Sequence, residues 1–261
     1  MLKKMVVIFS VFLLISCATT PLGRKQFAFM PEEQVNTLGA EAFTNIKQET
    51  PVETNPRMTR YVNCISDAIL STFEDNKNWE VVVFRDDSIN AFALPGGKIG
   101  MHTGMIDFTK NQHQLATVIG HEIAHVLSKH GNERISQQFA MQQGINLIQA
   151  IFNNPQSQTA QLLMGALGAG AQFGVLLPYS RVHEKEADEL GLHLIARAGF
   201  DPRESVNLWV TMSEGGEQPP EFMSTHPSHE TRIHDLQAQM PYALQLYDQA
   251  RANGHNPQCR L

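Results

Sequence analysis

The stretch that decides the fold is Gln112–Lys129, QHQLATVIGHEIAHVLSK, because it sets two histidines and a glutamate into one helical repeat. Its apolar residues recur at steps of three and four, the period of a helix packed against a core. They are Leu115, Val118, Ile119, Ile123, Val126 and Leu127. Positions four apart return to nearly the same side of a helix. His121 and His125 can therefore present their imidazole nitrogens to one ion.

The order His-Glu-x-x-His adds a carboxylate to this pair. Glu122 lies where it can accept a proton from a water bound to the ion, which is the chemistry of zinc peptidases. The alternative is a helix that carries two histidines by chance, yet a buried glutamate beside them would be costly without a cation. The sequence therefore predicts one Zn²⁺ per chain, held in part by His121 and His125, with Glu122 as the general base.

The N-terminus has the pattern of an export signal. A positively charged start is followed by Met5–Ile15, an apolar run of eleven residues that is too short to cross a bilayer. The sequence LISC ending at Cys17 resembles a lipobox, which implies cleavage before Cys17 and its acylation. We expect residues 1–16 to be a lipoprotein signal peptide and residues 17–30 a lipidated tether. An ordinary signal peptide or a membrane anchor is the alternative.

The residue after the lipobox cysteine bears on location. It is Ala18 rather than Asp, and the sorting pattern that this resembles sends a lipoprotein to the outer membrane, on its periplasmic face. The formal charge of the chain is −6, and loss of the two signal-peptide lysines takes it to −8. An acidic domain gives no reason to expect a nucleic-acid partner.

If lipid occupies the first of the three cysteines, Cys64 and Cys259 remain. An oxidising compartment would allow them to form a disulfide that closes almost the whole domain. Two independent buried thiols are the alternative.

Residues 31–261 are long enough for one domain with a continuous core. Helical periods dominate, with one small sheet just before the HExxH helix, so we expect a predominantly helical α+β fold. The predicted helices run from Pro31 to the late forties and over Asn55–Phe73, Ile135–Phe152, Arg181–Ala198, Pro202–Met212 and Pro227–Gln239. The predicted strands are Trp79–Phe84, Ala91–Leu94 and Lys98–Met101. The uncharged stretch Gln161–Leu177 is expected to pack in the core, with a membrane-touching or substrate-binding segment as the alternative.

A catalytic zinc needs a third protein ligand, which should be His, Asp or Glu on a second element. The segment Ser180–Asp188, SRVHEKEAD, supplies such residues densely, although alone it would be typical of a solvated helix face. HEIAH, the EKEAD run, the preceding Tyr-Ser-Arg and the later Thr-His-Pro at 225–227 together resemble the CAAX-prenyl-protease family of zinc metallopeptidases. Residues 90–97, NAFALPGG, extend the match. The closest likeness is to the family's soluble, periplasmic lipoprotein branch.

The resemblance implies a zincin-like domain of the gluzincin type and assigns roles around the ion. Glu184 becomes the third ligand, and Asp188 accepts the second N–H of a ligating histidine. His226 would stabilise the oxyanion or occupy the open coordination position, and Arg232 has a weaker claim to the site. Glu186 is expected to point away from the ion. We also expect four histidines to lie outside the chemistry, namely His102, His113, His130 and His183.

The segment Asn90, Ala91, Phe92 and Ala93 can act as an exposed strand edge that accepts an extended substrate by backbone pairing, with a plain hairpin as the alternative. Such binding suits a protease of unfolded chains. The resemblance implies a quality-control endopeptidase for misfolded or stalled outer-membrane proteins, near the outer-membrane assembly machinery. The competing hypothesis is a chaperone-like assembly factor whose metal site is kept closed by His226.

Overall fold

The structure is a computed structural model that describes residues 17–151, 180–213, 221–226 and 231–261. The described helices are α1 Glu32–Glu49, α2 Pro56–Leu70, α3 Thr103–Phe108, α4 Gln112–Leu127, α5 His130–Ile151, α6 Arg181–Arg197, α7 Arg203–Ser213, α8 Glu221–Thr225 and α9 Arg232–Ala252. The strands are β1 Cys17–Thr19, β2 Lys25–Phe27, β3 Glu80–Phe84, β4 Ala91–Leu94 and β5 Lys98–His102. The predicted α+β fold, mainly helical with a small sheet before the HExxH helix, is confirmed.

The small sheet has the order β3-β5-β4, with β5 parallel to β3 and antiparallel to β4. The turn between β4 and β5 needs two left-handed residues, and Gly96 and Gly97 supply them with φ of 83° and 78°. β4 pairs on one side with β5, and on its other side no described strand pairs with it. The sheet therefore presents β4 as an edge close to α4.

Helix α4 is the centre of the core. Asn111 caps its N-terminus by accepting from the backbone N–H groups of His113 and Gln114. Every residue from Gln114 to Val126 is buried, which explains the apolar character of the motif helix. Helix α6 packs directly against α4.

A pair of glycines sets the distance between α4 and α6. A Cβ added to Gly191 would lie 3.0 Å from the backbone carbon of Gly120 and 3.0 Å from the backbone nitrogen of His121. The two helices thus approach backbone to backbone beside the first motif histidine. This close crossing brings the N-terminal turns of α6 near the histidines of α4.

The chain turns sharply after α4. Lys129 adopts a left-handed conformation with φ of 53°, and α5 begins at His130. The sequence predicted the next helix from Ile135, so this helix starts five residues earlier than expected. The turn places His130 behind α4 rather than in an exposed connection, and His130 is fully buried.

Residues 17–30, expected to be a tether, contain an antiparallel hairpin of β1 and β2. It lies against α5 and α6, and Thr20 and Gln26 are buried. The backbone N–H groups of Phe29 and Met30 donate to the Ser136 hydroxyl of α5. The hairpin is therefore docked on the domain by specific polar contacts.

Other differences from the predicted elements concern the ends of helices. α9 was expected to end at Gln239 but continues through Pro241 to Ala252. α2 ends at Leu70 rather than Phe73. The apolar stretch 161–177 and the expected helix start at Pro227 lie outside the described residues.

The structure joins Cys64 of α2 to Cys259 near the C-terminus by a disulfide, with the Cα atoms 5.7 Å apart. The cysteine count predicted this pairing. Within the described part of the chain, no helix is both long and apolar enough to cross a membrane.

Candidate metal centre

Four buried side chains from three parts of the chain converge at one point. They are His121 and His125 of α4, Glu184 of α6 and His226, which directly follows α8. Each offers one ligand atom, and these atoms all lie within 4.8 Å of one another. His121, His125 and Glu184 are the predicted ligands, and the fold brings His121 and Glu184 together although they are 63 positions apart in the sequence.

The spacing of these atoms suits a tetrahedral ion. His121 Nε2 and His125 Nε2 lie 3.0 Å apart, and each is 3.4 Å from an oxygen of Glu184. His226 Nδ1 lies 3.2 Å from both His121 Nε2 and Glu184 Oε1. Zinc bonds of about 2.0–2.2 Å to such donors require ligand atoms about 3.3 Å apart. The donor set and its spacing therefore fit Zn²⁺ with three nitrogens and one carboxylate.

The outer nitrogen of His121 is held by a carboxylate and an arginine. His121 Nδ1 lies 3.0 Å from Asp188 Oδ1, and Arg232 Nε lies 2.6 Å from Asp188 Oδ2. Arg232 is buried and stacks on the Trp209 ring, with its guanidinium carbon 3.5 Å from the ring centre. We name His121, Asp188 and Arg232 the His121 arm. It matches the arrangement in which a carboxylate fixes the tautomer of a ligating histidine.

The outer nitrogen of His125 is held through a second histidine. His125 Nδ1 lies 2.9 Å from His130 Nδ1, and His130 Nε2 lies 3.0 Å from Glu186 Oε2. Arg24 of the N-terminal hairpin pairs with Glu186 at 2.7 Å. We name His125, His130, Glu186 and Arg24 the His125 arm. The expectation that His130 lies outside the site is wrong, whereas Glu186 points away from the ion ligands as expected.

Burial and contacts among neighbouring groups shift the pKa values of three of the ligand residues. Burial opposes charge on His121, but hydrogen bonds to Asp188 and Glu184 outweigh it and raise the pKa of His121 to about 9. Burial lowers the pKa of His125 well below its usual value. Burial also opposes ionisation of Glu184, yet contacts with the surrounding histidines hold its pKa well below the ordinary range. A cation would replace the proton that these groups otherwise share.

Glu122 lies beside the ligands with an incompletely satisfied carboxylate. It is fully buried, and neither carboxylate oxygen makes a hydrogen bond within the described residues. His226 Nε2 lies 3.5 Å from Glu122 Oε1. Burial raises the pKa of Glu122, so the carboxylate is a better proton acceptor than an exposed one. A carboxylate so placed is suited to act on a polar group that enters the site.

The predicted edge segment lies close to the ligand helix, but it is not exposed as expected, because Asn90, Ala91 and Ala93 are buried. Asn90 precedes β4, and its backbone carbonyl accepts from the His102 N–H of β5. The side chain of Asn90 accepts from the Ala91 N–H at 2.9 Å, on the free side of the strand. A narrow cavity lined by Ala93, Pro95 and His125 separates the end of β4 from α4. The edge strand therefore borders the metal ligands.

Comparison with known proteins identifies the class of this site. The model of peptidase family M48 matches residues 54–240. The mitochondrial metalloendopeptidase OMA1 of Schizosaccharomyces pombe is 36% identical over 190 residues, which cover 71% of this chain and 54% of that protein. The beta-barrel assembly-enhancing protease of Yersinia pestis is 28% identical over 222 residues, or 82% of this chain and 45% of that protein. Its Escherichia coli counterpart is 29% identical over 199 residues, or 73% and 40%.

The matched proteins are named as proteases or metalloendopeptidases. The chain belongs to peptidase family M48. It spans about half the length of the curated relatives it matches. The family model matches from residue 54 onward, so Arg24 of the N-terminal hairpin lies outside the residues that the model covers.

The sequence located the ligands but not all of their supports. Motif spacing led to His121, Glu122 and His125, and resemblance led to the other two ligand positions and to Asp188 and Arg232. The missed residues are Arg24, Glu133, His130, His183 and Glu186. A continued helix would place His130, five residues after His125, on another face, so no local pattern predicted this contact. The left-handed turn at Lys129 is what brings His130 back to His125.

Proposed function

We propose that this chain is a zinc-dependent endopeptidase of the bacterial periplasm that degrades misfolded or stalled envelope proteins. The observation that carries the peptidase chemistry is the convergence of His121, His125 and Glu184, with Glu122 next to them. The name of the beta-barrel assembly-enhancing protease supports a role near outer-membrane assembly. The likeness to the soluble lipoprotein branch of the CAAX-prenyl-protease family is part of the same proposal.

The proposed ion is one Zn²⁺ held by His121, His125 and Glu184. When bound, zinc supplies Lewis-acid chemistry that lowers the pKa of a water and polarises the scissile carbonyl. Glu122 takes a proton from the attacking water and returns it to the leaving amine. Asp188 keeps the Nδ1–H of His121 in place so that Nε2 faces the ion.

His226 controls the state of the site in this proposal. Its Nδ1 lies among the ligand atoms, and its Nε2 faces Glu122. With His226 in the fourth position, a water would have no place beside Glu122. We therefore propose that the enzyme is latent in this arrangement and that His226 moves before hydrolysis, after which it can donate to the oxyanion.

Substrate and anchorage complete the proposal. An extended segment of an unfolded protein adds to the free edge of β4 at Asn90–Ala93, so recognition is mainly through the main chain. Residues 1–16 are a signal peptide, residues 17–30 carry lipid on Cys17, and residues 31–261 form the peptidase domain. The lipid holds the enzyme on the periplasmic face of the outer membrane.

The decisive experiment removes the proton acceptor while leaving the ligands. We expect Glu122→Gln to bind zinc as the wild type does but to lose at least about a hundredfold in casein cleavage, because general-base catalysis contributes that much. Chelation should abolish wild-type cleavage, and added zinc should restore it. A Glu122→Gln enzyme that cleaves at the parental rate would contradict the assignment.

A chaperone-like assembly factor is the second candidate, and the closed four-ligand arrangement favours it. A pure binder would keep an unfolded outer-membrane protein soluble after His121→Ala, without any zinc-dependent cleavage by the wild type. Both measurements on one preparation therefore separate the two functions.

A further inference from the structure

A buried polar chain runs from His125 to the N-terminal hairpin, on the side of the ring opposite the ion ligands. It passes through His130, which is fully buried, to Glu186 of α6. Both links are 2.9–3.0 Å long. These distances are those of good hydrogen bonds, so the chain fixes the plane of the His125 ring.

The direction of each hydrogen bond follows from the chemistry of the ligand. His125 Nε2 faces the other ligand atoms, and it must be unprotonated to bind an ion. His125 Nδ1 therefore carries the ring proton and donates a hydrogen bond to His130 Nδ1. The ring proton of His130 is then on Nε2, which donates a hydrogen bond to Glu186. The chain ends on a carboxylate, as ligating histidines usually require.

Glu186 is itself held by the hairpin. It accepts from the Arg24 Nε at 2.7 Å and from the Thr20 hydroxyl. These two donors hold the carboxylate in place as the acceptor for His130.

The other end of Arg24 is anchored as well. Its Nη2 donates to Glu133 Oε2 of α5 at 2.7 Å, and Glu133 also accepts from the Phe27 N–H of β2. Glu133 lies 2.9 Å from His183 Nε2, and the rings of His183 and His130 stack with centres 4.4 Å apart. The guanidinium therefore lies between two buried carboxylates that would otherwise repel each other. Its fork is used on both sides, which lysine could not reproduce.

We propose that Arg24 is a positioning residue of the metal centre: the docked hairpin holds Glu186, Glu186 orients His130, and His130 fixes the ring of the ligand His125. The inference rests on the proposed zinc site. It goes beyond that site by making the segment that follows Cys17 a part of the metal centre. Undocking of the hairpin weakens zinc binding without touching a ligand.

The test measures zinc affinity of the purified full chain by competition with a chelator. We expect Arg24→Gln to weaken zinc binding about tenfold, the lower end for loss of a group that supports a ligand. Arg24→Lys should give an intermediate loss because it keeps the charge but not the fork. The visible spectrum of the Co²⁺-loaded chain should shift in Arg24→Gln, since the orientation of one imidazole changes.

The matched control is Arg203→Gln. Arg203 forms a similar forked pair with Asp201, with Nη2 2.6 Å from Oδ2, but has no path to the ligands. Its zinc affinity and Co²⁺ spectrum should equal those of the wild type. Arg24→Gln binding zinc as tightly as Arg203→Gln would overturn the proposal.

A double-mutant cycle with His130→Ala tests the path itself. If Arg24 acts through His130, the double variant binds zinc no more weakly than His130→Ala alone. Losses that add would overturn the proposal, because they would mean that Arg24 acts by general stabilisation. If Arg24→Gln fails to fold, Arg24→Lys enters the cycle in its place. Absence of zinc binding by the wild type would instead overturn the proposed metal centre, and this inference with it.

Discussion

The two histidine ligands of α4 are supported in parallel but unequal ways. In the His121 arm, a carboxylate touches the ligand directly and is held by an arginine of α9 that is 2% exposed at its side chain. In the His125 arm, an imidazole stands between ligand and carboxylate, and the arginine comes from the hairpin with its side chain 25% exposed. One arm is thus short and sealed, whereas the other is longer and reaches the surface.

The comparison shows that α6 contacts both the N-terminal hairpin and the C-terminal helix α9. Asp188 and Glu186 lie two residues apart on α6, so they point to different sides. The first meets the C-terminal helix and the second meets the N-terminal hairpin. The close packing of α6 on α4 therefore delivers a ligand and both supporting carboxylates from three neighbouring positions. A fully buried charge pair is more sensitive to loss of one partner than a pair with one partly exposed member.

The largest expected effect is the loss of stability on removal of the Cys64–Cys259 disulfide, which belongs to neither arm. The Cys64→Ser, Cys259→Ser protein should lose about 5 kcal/mol of unfolding free energy in the chain-entropy account of so long a loop. Zinc affinity should stay near that of the wild type, because the disulfide touches no ligand support. Urea unfolding and chelator competition measure the two quantities. If zinc affinity fell as far as in Asp188→Ala or Arg24→Gln, the two arms would not be the specific supports of the ligands.

The next effect concerns the sealed arm. Asp188→Ala leaves Arg232 buried without its partner, and we expect a loss of about 3–5 kcal/mol in stability. Zinc affinity should fall about 10- to 100-fold as the His121 ring loses its acceptor. Asp188→Asn, which keeps the shape and one acceptor oxygen, is the control and should lose less of both. If Asp188→Ala cost no more stability than Arg24→Gln, the contrast between sealed and surface-reaching arms would be wrong.

The smallest effect tests the crossing on which both arms depend. Gly191→Ala places a methyl group 3.0 Å from the α4 backbone, so we expect a loss of about 1–3 kcal/mol from overpacking. Zinc affinity should also fall because Glu184 moves with α6. Lys185→Ala, on the exposed side of the same helix, is the control and should leave affinity unchanged. Unchanged zinc binding in Gly191→Ala would mean that the ligands do not need this close approach.

The elements that periodicity predicts are those whose packing is local. α4 follows from apolar spacing, and β4 and β5 follow from runs of strand-forming residues on either side of Gly96-Gly97. The ligand set needed the HExxH spacing and, for Glu184 and His226, the resemblance. In each case the informative residues are near neighbours in sequence or part of a motif.

The His125 arm could not be predicted in the same way. Arg24 meets Glu133 and Glu186 across 109 and 162 residues, and no local pattern encodes such a contact. The hairpin itself is short and polar, so it looked like a tether. The left-handed Lys129 adds a turn where the periodic pattern would continue a helix.

The bond from the Asn90 side chain to the Ala91 N–H has a consequence for self-association. Unpaired strand edges are templates on which copies of a protein pair by backbone hydrogen bonds and aggregate. Here the first outward donor of β4 is already taken, so a stray strand must give up about 1 kcal/mol before it can pair. A brief collision between two copies does not recover that loss, whereas a long extended polypeptide that forms several main-chain bonds does. The edge of β4 therefore favours pairing with long extended polypeptides over brief pairing with a second copy.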